Sequence, residues 1–173
     1  MTNRYNYVDR GNYIRFIGFA HSIKNHYFKL LTSPIIDIKE LNLMFFNKVN
    51  YKKIIKEYLK VIDHDVGIIS YNIGLIYQLK AKNYKKMKQF YQVAIDNGIY
   101  ESYSNLGKYY FKKKGKKNIK KGVTQLLKGV ECVNLSSIAE YTCYLIENNM
   151  ELDLAQTLLQ QSEKIDNADL DIL

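Results

Sequence analysis

"NYKKMKQFYQVAIDNG", residues 83–98, repeats the pattern of "NYKKIIKEYLKVIDHD", residues 50–65, at an offset of 33. Asn-Tyr-Lys-Lys opens both stretches, and Ile-Asp falls at the same place near the end of each. In the later stretch Tyr84, Met87, Tyr91, Ala94 and Ile95 recur at i, i+3, i+7, i+10 and i+11. That spacing puts them on one buried face of an α-helix. Asn97-Gly98 then supplies a stop, because both residues tolerate a left-handed backbone. The earlier stretch carries the same stripe as Tyr51, Ile54, Tyr58, Val61 and Ile62.

A second helix precedes each stripe. In "SYNIGLIYQL", residues 70–79, Ile73, Gly74 and Tyr77 share a face, and "KAKN" breaks the pattern before Tyr84. At the same offset, Leu41 and Met44 are the earlier equivalents of Gly74 and Tyr77, and Leu106, Gly107 and Tyr110 are the later equivalents of Ile73, Gly74 and Tyr77. The third stripe is Ile119, Gly122, Leu126, Gly129 and Val130, at an offset of 35, with the two extra residues in a lysine-rich break. A degenerate fourth copy, "SSIAEYTCYLIENNMELDLAQTLLQQS" at 136–162, keeps two helices without a readable phase. A period of this length built from helix pairs predicts an all-α solenoid, in which stacked pairs bury the core that one pair alone cannot. Gly74 and Gly107 let the two helices of a pair approach closely, at about 1 kcal/mol in helix propensity.

The expected organisation follows. Residues 1–35 form an N-terminal helical cap, in which Ile14, Ile17, Phe28 and Leu31 mark an amphipathic helix ending at Ser33-Pro34. Helix pairs span 36–66, 67–99, 100–131 and, in degenerate form, 134–162, and residues 163–173 are an acidic C-terminal tail.

Composition agrees with helices: one proline and nine glycines in 173 residues, 47% of them apolar. Lys, Asn, Ile and Tyr number 23, 16, 20 and 16, and all have AT-rich codons, so part of the lysine excess reflects coding bias. Charge is uneven. Residues 1–130 hold 25 basic and 8 acidic side chains, a balance of +17, whereas residues 131–173 hold one and nine, a balance of −8. A basic body with an acidic end can draw in an acidic partner, its own end, or a neighbour's. Cys132 and Cys143 are too few for a disulfide framework and lack the partners for zinc. With no signal-peptide core in "MTNRYNYVDRGNY" and no run of ~18 apolar residues, the expectation is an intracellular, cytoplasmic or nuclear protein outside the membrane.

"NIGLIYQLKAKNYKKMKQFYQVAIDNG" and "NLGKYY" resemble tetratricopeptide repeats and their Sel-one-like relatives. Leu-Gly-x-x-Tyr on the first helix appears as Ile73-Gly74-Tyr77 and Leu106-Gly107-Tyr110; small-x-x-x-aromatic-x-x-Ala on the second appears as Met87-Tyr91-Ala94. Leu41 replaces the first copy's glycine, Met87 is not small, and the closing proline is missing. The resemblance implies a right-handed α-solenoid of about three to four antiparallel pairs, capped at the N-terminus, acting as a non-catalytic scaffold between proteins. It further implies that first helices line a concave groove. Its partner-contacting positions would be Asn42, Phe45 and Phe46, then Tyr71, Leu75, Gln78 and Leu79, then Ser104, Lys108, Phe111 and Lys112. Aromatic anchors ringed by lysines suit an acidic or C-terminal peptide, although packing between neighbouring helices accounts for such residues equally well.

Motifs of chemistry are scarce. No HExxH, GxGxxG, phosphate loop or nucleophile elbow occurs. His21 and His26 are five residues apart, off one helical face, and Asp63-His64-Asp65 falls where the repeat places a turn. No catalytic residue, metal or cofactor is therefore expected. The strongest charge feature is "KKKGKKNIKK" at 112–121, with Lys112, Lys113, Lys114, Lys116, Lys117, Lys120 and Lys121. It reads either as a solvated loop between two helices or as a phosphate-binding element. The second alternative makes the chain a nucleic-acid-binding accessory protein. Self-association into a homo-oligomer through the opposite charges of body and end is a further expectation.

Overall fold

The computed structural model describes residues 30–33, 37–47 and 49–170. They form eight α-helices and, among the described residues, no strand. The helices are α1 (Lys39–Phe46), α2 (Tyr51–Lys60), α3 (Val66–Leu79), α4 (Tyr84–Asp96), α5 (Glu101–Lys112), α6 (Lys116–Glu131), α7 (Leu135–Glu147) and α8 (Leu152–Leu170), with a 3-10 turn at Ile62–His64 before α3.

The repeated Asn-Tyr-Lys-Lys is a helix start. The Asn50 side chain accepts from the Lys52 amide at 2.9 Å, and Asn83 accepts from the Lys86 amide at 3.1 Å, which satisfies one of the four amides a helix start leaves open. Asp65 and Asn134 cap α3 and α7 in the same way. At the other end of α4, Gly98 takes φ +84°, the Gly98 amide donates to the Ile95 carbonyl and the Ile99 amide to the Ala94 carbonyl. This left-handed stop recurs after α6 at Val133 and after α7 at Asn149. The acidic trio is absorbed here too: Asp65 caps α3 and accepts from Ser33 Oγ at 2.6 Å, while Asp63 and His64 sit exposed in the turn.

Helices pack most extensively on their chain neighbours, above all α3 on α4, α5 on α6 and α7 on α8, and α5 also meets α7. Most stripe positions form the buried faces: Ile54 and Tyr58 on α2; Met87, Tyr91, Ala94 and Ile95 on α4; Gly122, Leu126 and Gly129 on α6. Ile119 of the third stripe is exposed instead, and Val61 and Ile62 of the first fall beyond the end of α2. Among the described side chains of α8, Ala155, Leu158, Leu159 and Ser162 are buried. Of these, Ala155, Leu159 and Ser162 lie 33 residues beyond Gly122, Leu126 and Gly129, the offset that separates the first two stripes. Two apolar groups make up the core, one running from Leu30 to Leu106 and one around Leu126, Ile138, Tyr141, Leu145, Ala155 and Leu158. They abut at Gly107, where an added methyl group would lie 2.6 Å from Leu126 Cδ2.

Gly74 meets the same constraint against a rigid ring, since its methyl would stand 2.6 Å from Cδ1 of the fully buried Tyr91. Glycine to alanine inside a helix ordinarily stabilises by about 0.4–1 kcal/mol. Gly74→Ala is expected to do the reverse, destabilising by about 1–3 kcal/mol through overpacking. Urea denaturation reads the sign directly.

Two boundaries differ from expectation. α3 begins at Val66, and α8 continues through Leu170 where a separate tail was expected from residue 163. The N-terminal cap lies outside the described residues except for its last stretch. There the Leu31 amide donates to Asn72 Oδ1 at 2.9 Å, and the Leu31 carbonyl accepts from Asn72 and Asn42 side chains. Leu30 is buried in the first core group.

Tyr58, Tyr71 and Tyr91 carry a consequence for pH. Burial pushes all three hydroxyls up from the ordinary value, that of Tyr71 to about 12. Below about pH 10 both folded and unfolded chains keep these protons, and nothing is lost. Above it the unfolded chain sheds protons that the folded chain retains, so stability falls by up to about 1.4 kcal/mol per pH unit for each tyrosine. Helical circular dichroism is expected to collapse cooperatively between about pH 10 and pH 12, together with a rise in tyrosinate absorbance.

Candidate binding surfaces

The positions that the family resemblance assigns to a groove are mostly core. Phe45, Tyr71, Leu75 and Gln78 are buried, as are Asn42 and Ser104, so these residues offer a partner no surface. The reason lies in α3, where eleven of fourteen residues are buried. Asn42 accepts from the Tyr58 hydroxyl, which ties α1 to α2. The Tyr71 hydroxyl accepts from Asn105 at 3.2 Å, across to α5, and Gln78 accepts from Tyr91 at 2.5 Å, across to α4. With Leu31 held by Asn72 as well, α3 is enclosed by α4, α5 and the segment before α1.

Lys108 and Phe111 are also engaged. Lys108 Nζ lies 3.3 Å from Glu140 Oε1, with only 11% and 8% of the two side chains exposed. The contact is an ion pair between α5 and α7, with angles outside hydrogen-bond geometry. Phe111 stacks on Tyr144 with ring centroids 5.1 Å apart and fills the space beside Gly122. Of the expected groove residues, Phe46 and Lys112 stand exposed, and Phe46 is 68% exposed at the end of α1.

The lysine run is not one loop. Lys112 ends α5 and Lys116 opens α6, leaving only Lys113–Gly115 between them. Lys116, Lys117, Lys120 and Lys121 therefore lie in the first two turns of α6, the helix end that favours negative charge, and Gly115 caps it with no side chain. Positive charge is thus concentrated where the backbone is also positive.

Beside this run the structure gathers aromatic rings from three helices. Tyr84 of α4 and Tyr109 of α5 have ring centroids 5.0 Å apart, and Tyr109 and Tyr110 lie 5.2 Å apart. Lys113 Nζ sits over both Tyr84 and Tyr109, at 5.1 and 5.6 Å, and Lys121 Nζ sits over Tyr110 at 5.7 Å. Next along α4, Tyr77 stacks on Phe90 at 5.6 Å with Lys86 over the Tyr77 ring at 5.4 Å. Tyr84, Tyr109 and Tyr110 are half-buried while Lys86, Lys113 and Lys121 are exposed. The rings hold ammonium groups in place by the attraction of a cation for a π face. Such a surface can bind carboxylates or phosphates, with ring edges available for apolar contact. The i, i+4 spacing of Tyr109 and Lys113 was the available signal in the sequence.

Among the described residues no three His, Cys, Asp or Glu side chains come together as metal ligands, and no helix is long and apolar enough to cross a membrane. Comparison with family models, with curated proteins and with solved structures finds no match for the chain.

Proposed function

We propose that the chain is a short α-solenoid of the tetratricopeptide or Sel-one-like kind, and that it serves as a non-catalytic scaffold binding an acidic protein segment. Its helix pairs run antiparallel and stack side by side, the arrangement that neighbour-on-neighbour packing and buried positions recurring at offsets of 33 and 35 favour. The observation that carries the binding role is the basic, tyrosine-backed face of Tyr84, Tyr109, Tyr110, Lys113 and Lys121. This replaces a groove along the first helices, whose residues are enclosed.

Nucleic acid would meet the same lysines. Bases, however, bind such surfaces by stacking on ring faces, and Lys113 and Lys121 already occupy faces of these three rings. Fluorescence anisotropy with a labelled glutamate-rich peptide and a labelled single-stranded oligonucleotide separates the two. The peptide is expected to bind at low salt and to be weakened by Lys113→Glu with Lys121→Glu. An oligonucleotide bound far more tightly than the peptide, or binding of neither, defeats the proposal.

A further inference from the structure

The basic face has a complement on the same chain. Between α7 and α8 the turn carries Met150, 42% exposed, followed by Leu152, also 42%, and Leu154, 37%. Glu151 and Asp153 alternate with them and are exposed. Leucines and a methionine standing in water between carboxylates call for an apolar and cationic cover. The basic face offers both kinds of group: half-buried rings of Tyr84, Tyr109 and Tyr110, and the ammonium groups of Lys113 and Lys121 above them.

We infer that the acidic partner of this surface is a second copy of the chain, whose α7–α8 turn docks on the Tyr84–Tyr109–Tyr110 face. This rests on the scaffold reading above and gives it a partner. In the contact, Glu151 and Asp153 of one copy meet Lys113 and Lys121 of the other, while Met150, Leu152 and Leu154 lie against the edges of the tyrosine rings. Two features favour a second copy over nucleic acid. The chain's charge is divided as +17 over residues 1–130 against −8 over residues 131–173, and nucleic acid would leave the exposed leucines and methionine of the acidic turn uncovered. The two patches are different surfaces of one molecule. Used reciprocally by two copies they make an isologous two-fold dimer; used head to tail they make a heterologous contact that closes into a ring or continues as an open chain. A contact built on charge pairs at an exposed surface has a strength that depends on salt.

Sedimentation of the full chain over a concentration series, at about 0.05 M and about 0.5 M salt, is the test. Average mass is expected to rise with concentration at low salt and to fall back towards the monomer at high salt. Glu151→Lys with Asp153→Lys in one variant, and Lys113→Glu with Lys121→Glu in another, should each weaken association about tenfold or more. Mixing the two variants should restore it, because their reversed charges match; circular dichroism of each checks that the fold is kept. A wild-type monomer at low salt and high concentration overturns the inference, as does association that neither variant changes. A monomer that still binds the glutamate-rich peptide leaves the scaffold reading in place, and a monomer that binds neither peptide nor itself removes both. A monomer that prefers the single-stranded oligonucleotide assigns the face to nucleic acid instead.

Discussion

Lys108→Ala is expected to destabilise the fold by about 3–5 kcal/mol, a large part of the ~5–15 kcal/mol that holds a domain together. Glu140, on α7, is buried and lies 3.3 Å from the Lys108 ammonium on α5. Removing the lysine leaves a carboxylate that is 8% exposed without that opposite charge, and a buried charge without its partner is costly. Glu140→Leu alone removes the buried carboxylate from the Lys108 ammonium and should also destabilise the fold. The double variant Lys108→Met with Glu140→Leu should lie near the parent in stability or above it, because well-packed apolar residues match or exceed a buried ion pair. Urea denaturation of the three variants gives the cycle. Should Lys108→Ala cost less than about 1 kcal/mol, water reaches Glu140 and the pair is a surface one.

Lys108 also shows where sequence reading stops. Its place on the helix was legible from Leu106-Gly107, and the family resemblance then pointed its side chain at a partner. The residue that occupies it, Glu140, lies in the segment whose phase the degenerate pattern conceals. Periodicity reports which face of a helix is apolar; it is silent on which neighbour covers the remaining faces. α3 illustrates the same limit. "VGIISYNIGLIY" is apolar nearly all round, the mark of a helix covered on every side. The Ile73-Gly74-Tyr77 stripe marks one face only, whereas Tyr71, Leu75 and Gln78, which the family resemblance assigns to a groove, are buried as well. What could be read well was local: the stripes on α2, α4 and α6, the Asn97-Gly98 stop and the breaks between helices all have short-range causes. The tyrosine–lysine cluster joins α4, α5 and α6 through space, and no short window of sequence contains it.

Tyr91→Ala should cost about 3–5 kcal/mol, the range for removing a fully buried aromatic side chain. The ring lies against Gly74 on α3, stands 5.8 Å from the Tyr71 ring, and donates its hydroxyl to Gln78 Oε1 at 2.5 Å. Tyr91→Phe keeps the ring and strands the buried Gln78 acceptor, for about 1–3 kcal/mol. The difference between the two variants measures packing apart from the hydrogen bond. Gly74 gives a sharper check, because the glycine is needed only while the ring is there. In the Tyr91→Ala background a methyl at residue 74 enters vacated space, so Gly74→Ala should change from harmful to neutral or mildly favourable as helix propensity reasserts itself. A coupling of about 1–3 kcal/mol between the two positions is the expected result of the double-mutant cycle. Additive effects would mean that α3 and α4 can separate to admit the methyl, and that the spacing of this helix pair is set by something other than the contact of Gly74 with Tyr91.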